Sequence, residues 1–271
     1  MKKFNTILVQ TKKGIVELVL NRPEVHNALN EEMIRELTHF FQELDNKVPE
    51  DLPRLVILRG NGKSFCAGAD LNYMKSIAAY GFEENKEDGR RLATLFRSVY
   101  ECPVPTLAVV HGAAFGGANG LLAACDMVLA AENTKFAFSE VKLGISPATI
   151  SPFVIKRIGE YGARELMLTG KRFNAREAEK WHLVNQVVPE DELEAKIQSL
   201  IHEILTAAPH AVRETKKLIN QVTETRNLNR LIDITSRMIA RLRADEEGQE
   251  GMAAFLEKRK PFWVTGKKQK K

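Results

Sequence analysis

The first apolar stretches of the chain alternate with polar residues at the period of a β-strand. Thr6-Ile7-Leu8-Val9 and Ile15-Val16-Glu17-Leu18-Val19-Leu20 flank the turn signal Lys12-Lys13-Gly14, which predicts a hairpin. Asn21-Arg22-Pro23 ends the second strand, because proline has no N–H to give to a ladder. From Asn30 to Leu44 the period changes: Met33, Ile34, Leu37, Phe40, Phe41 and Leu44 recur at helical spacing. Asn30 is placed to cap that helix, with Glu31 and Glu32 favourable in its first turn. Short continuous apolar runs predict buried strands over 54–59, 106–110, 127–131 and 135–138. After about residue 160 the pattern turns helical, over 160–168, 174–181, 190–207, 209–222 and 226–244. Strands alternating with helices predict an α/β fold with crossover connections. No low-complexity linker or repeat of fixed period divides the chain. Residues 1–200 read as one core and 201–271 as a C-terminal helical region that does not fold independently.

Composition narrows the class. With 271 residues, 44% hydrophobic and 28% charged, the chain can bury a sizeable core. No apolar run approaches the roughly 20 residues needed to span a bilayer. Met1-Lys2-Lys3-Phe4 lacks the apolar segment of a signal peptide, so a soluble, cytoplasmic protein with no membrane partner is expected. Cys66, Cys102 and Cys125 form no CxxC pair and have apolar neighbours, which predicts reduced structural thiols and no metal site. The net charge of +5 owes much to Lys267-Lys268-Gln269-Lys270-Lys271. Such a tail is either simply solvated or drawn to phosphate, on a nucleotide-bearing molecule or on RNA, and composition does not choose.

Two segments carry candidate chemistry. Lys63-Ser64-Phe65-Cys66-Ala67-Gly68-Ala69-Asp70-Leu71 and His111-Gly112-Ala113-Ala114-Phe115-Gly116-Gly117-Ala118-Asn119-Gly120 each follow a predicted strand and lead into helical sequence. Small residues let a ligand approach the backbone, and the first amides of a helix point outward unpaired. Two such N–H groups on one carbonyl oxygen would stabilise an enolate. Taken singly, each loop is as well explained by tight turns and close helix packing. Neither has the Lys-Ser/Thr end of a P-loop, and the second lacks a GxGxxG.

Together with other motifs, the loops make the chain similar to the enoyl-CoA hydratase/isomerase (crotonase) family over nearly its full length. The resemblance rests on Asn21-Arg22-Pro23, Asn27-Ala28-Leu29, Phe65–Leu71, Gly112–Gly117, Cys125-Asp126, Ser139-Glu140-Val141-Lys142-Leu143-Gly144-Ile145 and Glu250–Arg259, in order. It implies a spiral of ββα units with a C-terminal trimerisation region, assembled as a homotrimer or hexamer. It implies an acyl-CoA thioester as substrate, with coenzyme A part of that substrate and no separate cofactor. The thioester oxygen would be held by the amides of Ala69 and Gly117. Ala67 would lie against the adenine and pantetheine part of CoA, with Asp70 and Leu71 beside it, and Lys63 would approach the phosphates. Phe255 and Lys258 would reach the CoA of a neighbouring subunit, and a helix over 72–90 would cover the acyl pocket.

Hydration of an enoyl thioester delivers water to one carbon and a proton to its neighbour. Typical hydratases of this family place two glutamates around that water, one of them three residues after the oxyanion glycine. Here that position is Gly120, and the second is Glu140. Glu140 alone could be a surface carboxylate; the resemblance makes it the catalytic one, with a pKa raised by burial. Asp126 reads as structural. A single glutamate is typical of double-bond isomerases of the family. Hydration is nevertheless the preferred reading, because Gly144–Val154 resembles branched-chain hydratases, including methylglutaconyl-CoA hydratase-like members of leucine or isoprenoid breakdown. Asn119 or a backbone group would assist. Restoring a carboxylate by Gly120→Glu is expected to help small acyl groups only. His26 and His111 read as packing or hydrogen-bonding residues, without metal spacing, and no Gly-x-Ser-x-Gly elbow supports an acyl-transfer triad. RNA binding through the basic tail is the reading from another class and ranks below the enzyme, since neither an RNP-type aromatic stripe nor a KH-type loop is present.

Overall fold

The computed structural model describes residues 4–266, so the basic tail lies outside the described residues. The chain opens with strands β1 (Ile7–Lys12) and β2 (Ile15–Leu20), then helix α1 (Glu31–Asp45) and β3 (Leu55–Gly60). Helices α2 (Leu71–Ile77) and α3 (Phe82–Tyr100) follow, then β4 (Thr106–Val110), β5 (Ala113–Phe115) and α4 (Gly117–Ala124). Next come β6 (Met127–Ala131), β7 (Lys135–Ala137), α5 (Ser151–Thr169), β8 (Arg172–Asn174), α6 (Ala175–Lys180) and β9 (Gln186–Val188). The chain ends in α7 (Leu193–Thr206), α8 (Pro209–Glu224), α9 (Leu228–Ala244), α10 (Glu246–Leu256) and α11 (Phe262–Thr265).

Six strands form one sheet in the order β1-β2-β3-β4-β6-β9, antiparallel only at the opening hairpin. The sheet order follows the chain, as expected when each crossover returns beside the strand it left. The strands left out, β5, β7 and β8, form a second sheet. Isolated parallel bridges from Leu29 to Ala69 and from Cys66 to Ala114 give the earlier turns of the chain their own short second strand. Each turn thus lays one strand in the large sheet, one in the small layer and a helix behind, which is the spiral of ββα units that the resemblance implies.

Alternation divides the large sheet into two faces. Val16, Leu18, Leu20, Val56, Leu58, Ala108, Val110, Val128 and Ala130 face the main core with α1, α3, α4 and α5. Ile15, Leu55, Ile57, Leu107, Val109 and Leu129 face the other way and are covered by Ile197 of α7. Strands buried on both faces must be apolar throughout, which is why β3, β4 and β6 read as continuous runs. The expected boundary at residue 200 lies inside α7, which runs unbroken across it. No described helix is long and apolar enough to cross a membrane.

Two expected helices differ. The helix over 72–90 is instead α2 and α3, separated around Ala78–Gly81, where the Glu84 carboxylate accepts the Gly81 N–H (2.8 Å) and starts a new helix. The helix over 160–168 begins at Ser151, with Gly159 at φ 73° breaking its path. A side chain at that φ would be strained, so glycine permits the kink.

Candidate active site

The two glycine- and alanine-rich loops lie side by side. Cys66 pairs with Ala114 in parallel, the Cys66 N–H donating to Ala113 O (3.0 Å) and the Phe115 N–H to Cys66 O (3.2 Å). Gly68, at φ 98°, comes so close that a Cβ there would stand 3.0 Å from Phe115 O. This pairing carries Ala69 and Gly117 to the same end of the two loops. On the far side, Leu29 N–H donates to Gly68 O (2.7 Å) and Asp70 N–H to Leu29 O (2.9 Å), a parallel bridge centred on Ala69. In that pattern the N–H of Ala69 itself points away from Leu29, and no described backbone carbonyl takes it. Gly117 opens α4, where no side chain caps the helix, so its N–H belongs to the orphan donors of a helix start.

Glu140 is delivered by a 3-10 turn over Ser139–Leu143, immediately after β7. Phe138 anchors that turn, fully buried and stacked on Phe173 at 5.9 Å. The Glu140 carboxylate lies over Gly116: a Cβ on Gly116 would be 3.5 Å from Oε1. Gly116 has φ 51° and ψ −122°, a conformation open to glycine, and its N–H donates to Ala137 O (2.9 Å). Asn119 donates to the same carbonyl through Nδ2 (2.8 Å), tying the start of α4 to the strand that leads to Glu140. Oε2 of Glu140 is buried without a hydrogen-bond partner. Burial pushes this carboxyl above the usual range, only partly offset by a backbone hydrogen bond within the residue.

Gly120 faces the other way. A Cβ there would meet Ile150 Cγ2 at 2.5 Å and the Phe96 ring at 2.7 Å. The space a first glutamate would need is filled by two buried apolar side chains. The expectation that Gly120→Glu helps small acyl groups is therefore corrected: the side chain has no room beside any acyl group.

The other sequence candidates divide between the first loop and the C-terminal helices. The N–H of Ala67 is taken by His26 O (3.0 Å), and Lys63 is exposed on the same loop. Asp70 caps α2 by accepting from Asn72 N (2.8 Å) and Tyr73 N (3.2 Å), and pairs with Arg22 (2.8 Å). Burial would raise its pKa, but the hydrogen bonds from Tyr73, Arg22 and Asn72 outweigh it and hold Asp70 below the usual carboxylate range. Its carboxylate is thus committed to the loop, while Leu71, next along, is 74% exposed. Phe255 is 83% exposed on α10, which packs on α8 and α9, and Lys258 follows in a left-handed conformation (φ 55°). Both lie in the C-terminal helical region rather than on the loops.

His26 Nδ1 meets Ser64 Oγ (3.1 Å) and His111 Nε2 meets Gly62 O (2.8 Å), hydrogen-bonding roles as expected. Asp126 accepts from Thr106 N (2.7 Å), Thr106 Oγ1 (2.9 Å) and Lys216 Nζ (2.7 Å), a structural knot. The three cysteines are buried, and burial pushes the thiols of Cys66 and Cys125 up to about 12 and that of Cys102 to about 11. They are protonated and inert at neutral pH.

Sequence reasoning missed Asn27, Gly116, Phe96 and Ile150. Asn27 is fully buried; its Nδ2 donates to Asn61 O and Ser64 O (both 2.8 Å), and its Oδ1 accepts from Arg22 N (2.9 Å), locking the first of the two loops. A polar residue inside the Asn27-Ala28-Leu29 motif was the available signal. For Phe96 and Ile150 there was none, since both read as ordinary core residues.

Comparison with known proteins identifies the family. The sequence profile of the enoyl-CoA hydratase/isomerase family matches residues 10–267. The chain is 33% identical to a crotonyl-CoA hydratase of Syntrophomonas wolfei over 264 residues, covering 97% of this chain and 99% of that one. It is 34% identical to a mevalonyl-coenzyme A hydratase of Aspergillus fumigatus over 257 residues, covering 93% and 92%. The crystal structure of an enoyl-CoA hydratase from Shewanella pealeana superposes with a TM-score of 0.91 at 38% identity, over 96% of this chain and 97% of that one. Fold, paired loops and sequence together place this chain in the enoyl-CoA hydratase/isomerase family.

Proposed function

We propose that the protein adds water across the C2=C3 bond of a 2-enoyl-CoA thioester, with Glu140 as the sole carboxylate moving protons. The observation that carries this reading is Glu140 itself: half-buried, with Oε2 buried and unpartnered, raised in pKa and set over Gly116 beside the free start of α4. The thioester oxygen sits between the N–H groups of Ala69 and Gly117. As the carboxylate takes a proton from water, the hydroxyl bonds to C3 and the π electrons pass to the thioester oxygen as an enolate. The enolate then collapses and C2 takes the proton from Glu140, which returns to carboxylate. One glutamate serves both transfers, so hydroxyl and proton add on one face. Asn119 assists by holding the Ala137 carbonyl and, through it, the turn that presents Glu140.

Coenzyme A enters as part of the substrate. In this reading Lys63, Ala67, Asp70 and Leu71 line its path on one chain, and Phe255 and Lys258 serve the site of a neighbouring copy in a homotrimer or a pair of trimers. The resemblance to branched-chain hydratases and the mevalonyl-CoA relative support a branched or carboxylated acyl group, such as methylglutaconyl.

The apolar filling opposite Gly120 favours one second reading. A lone glutamate also suffices to carry a proton across an allylic system, which is double-bond isomerisation. A panel of straight, branched and carboxylated enoyl-CoA thioesters in oxygen-labelled water separates the two. The expected product is a 3-hydroxyacyl-CoA bearing solvent oxygen. Conversion of 3-enoyl to 2-enoyl thioesters without oxygen incorporation on any substrate would overturn the hydratase reading.

A further inference from the structure

We propose that α2 is a flap beside the thioester site, held shut by the hydrogen bond from the Tyr73 hydroxyl to Asp88, and that substrate passes when this latch opens. The proposal rests on the thioester site at Ala69 and Gly117 only for what the flap covers. α2 starts two residues after Ala69, on the cap that Asp70 supplies. Tyr73, Met74 and Ile77 recur at helical spacing, and Tyr80 follows one turn on. By pattern this is the inward side of a packed helix, yet all four residues are only half-buried and α2 has no buried residue at all. α3 gives the contrast, with Leu95, Phe96 and Val99 fully buried. An apolar side that the fold leaves half-covered is one that an incoming apolar chain can complete.

Few ties hold α2 in place. Among the described residues, Tyr73 to Asp88 is its one side-chain hydrogen bond to another helix. Asp88 also accepts from Arg91 Nη2 (3.1 Å), which lies 3.8 Å from Glu31, so the latch draws on α3 and α1 together. Burial, and then the bond to Asp88, raise the Tyr73 pKa, so the phenol keeps the proton it donates. Between α2 and the start of α1 a cleft of about 460 Å³, lined by Arg22, Asn30, Arg35, Asn72 and Ser76, leaves the helix room to move. The chain can pivot at both ends of α2. One pivot is Asp70, anchored by Arg22 (2.8 Å), and the other is Ala78–Gly81, where the Glu84 carboxylate starts α3 afresh.

Hydrogen exchange of the full chain, with and without butanoyl-CoA, tests the flap without any chemistry. In free wild type the amides of 71–80 should exchange at least about tenfold faster than those of 90–100, and bound butanoyl-CoA should slow them about tenfold. Tyr73→Phe and Asp88→Ala should each speed exchange over 71–80 by about tenfold and leave β3 and β4 unchanged. The double variant should exchange no faster than Asp88→Ala alone, since both changes remove the same bond. In each single variant KM for 2-butenoyl-CoA should rise about tenfold, with kcat within about twofold of wild type. Exchange over 71–80 as slow as over 90–100 overturns the flap, as does a lack of protection where calorimetry shows butanoyl-CoA bound. Unchanged exchange in both folded variants overturns the latch, and the wild-type results decide the flap should the variants fail to fold. If butanoyl-CoA protects 71–80 as stated but no enoyl-CoA is hydrated, the hydratase reading fails and the flap stands. No binding at all by calorimetry removes the thioester site, and the flap's role with it.

Discussion

Two carboxylates bracket the same stretch of chain, and the fold treats them in opposite ways. Asp126 precedes β6 and Glu140 follows β7. A single oxygen of Asp126 collects the Thr106 N–H, the Thr106 hydroxyl and the Lys216 ammonium. Glu140 has an oxygen buried with no partner at all. Folding normally satisfies buried polar groups, because leaving one unmade costs about 1–3 kcal/mol. Among the described residues Arg59 Nε and Asn119 Oδ1 share this state, but Glu140 is the one carboxylate among them, which points to a group kept for an incoming molecule. The bond pattern distinguishes the carboxylate that binds the molecule together from the one available for chemistry.

Substitution at Glu140 tests this contrast most severely. Glu140→Gln keeps the shape and removes the proton acceptor, so turnover should fall by about two to four orders of magnitude with thioester affinity little changed. A variant retaining more than about a tenth of wild-type turnover would show that the proton moves elsewhere. Gly117→Pro removes the N–H next to this carboxylate at the first helical position, where proline is tolerated. Losing one oxyanion donor should cost about a hundredfold to a thousandfold in kcat. Full activity in a folded Gly117→Pro protein would rule that amide out.

Gly120→Glu tries to create a second catalytic carboxylate. It drives a side chain into Phe96 and Ile150, and overpacking of this kind costs about 1–3 kcal/mol. Both a lower melting temperature and reduced turnover on every acyl group are expected. Combining it with Phe96→Ala should recover stability. A single variant as stable as wild type would mean that these two side chains yield.

How much of this could be read from the chain depended on length of contact. β3, β4 and β6 were legible because both of their faces are buried, and α1 because its apolar stripe spans four turns. The strands β5, β8 and β9 are three residues each, too short to show a period. The glycines Gly248 and Gly251 hid α10. At the site, Glu140, Ala69 and Gly117 stand in motifs, since local sequence sets a turn or a helix start. Phe96 and Ile150 come from α3 and the approach to α5, and only tertiary packing brings them against Gly120.

At Asp126 the expected effect is on stability. Asp126→Asn keeps an acceptor but leaves the buried Lys216 ammonium without its counter-charge, which should cost about 1–3 kcal/mol in denaturant unfolding. Turnover of the folded variant should stay within a few-fold of wild type. A large loss of kcat without loss of stability would erase the distinction between the two carboxylates.

The smallest effect is also the one that separates the two roles by sign. Burial raises the pKa of Glu140, so the folded protein holds this proton more readily than the unfolded chain does. The associated stability is present at low pH and is lost as pH rises through the folded value. Activity runs the other way: Glu140 must be a carboxylate to take a proton from water, so kcat/KM should rise with pH through that same raised value. Glu140→Gln cannot ionise, and should therefore be about as stable as wild type in acid and more stable at neutral pH. Melting curves of the two proteins across this range should diverge as pH increases, over the interval in which wild-type kcat/KM climbs. Asp70, held below the usual range by its hydrogen bonds, should behave in the opposite sense, its stabilisation fading only as pH falls through its depressed value. A melting difference between Glu140→Gln and wild type that shrinks with rising pH would mean that Glu140 is stabilised as an anion. It would then be a structural carboxylate like Asp126.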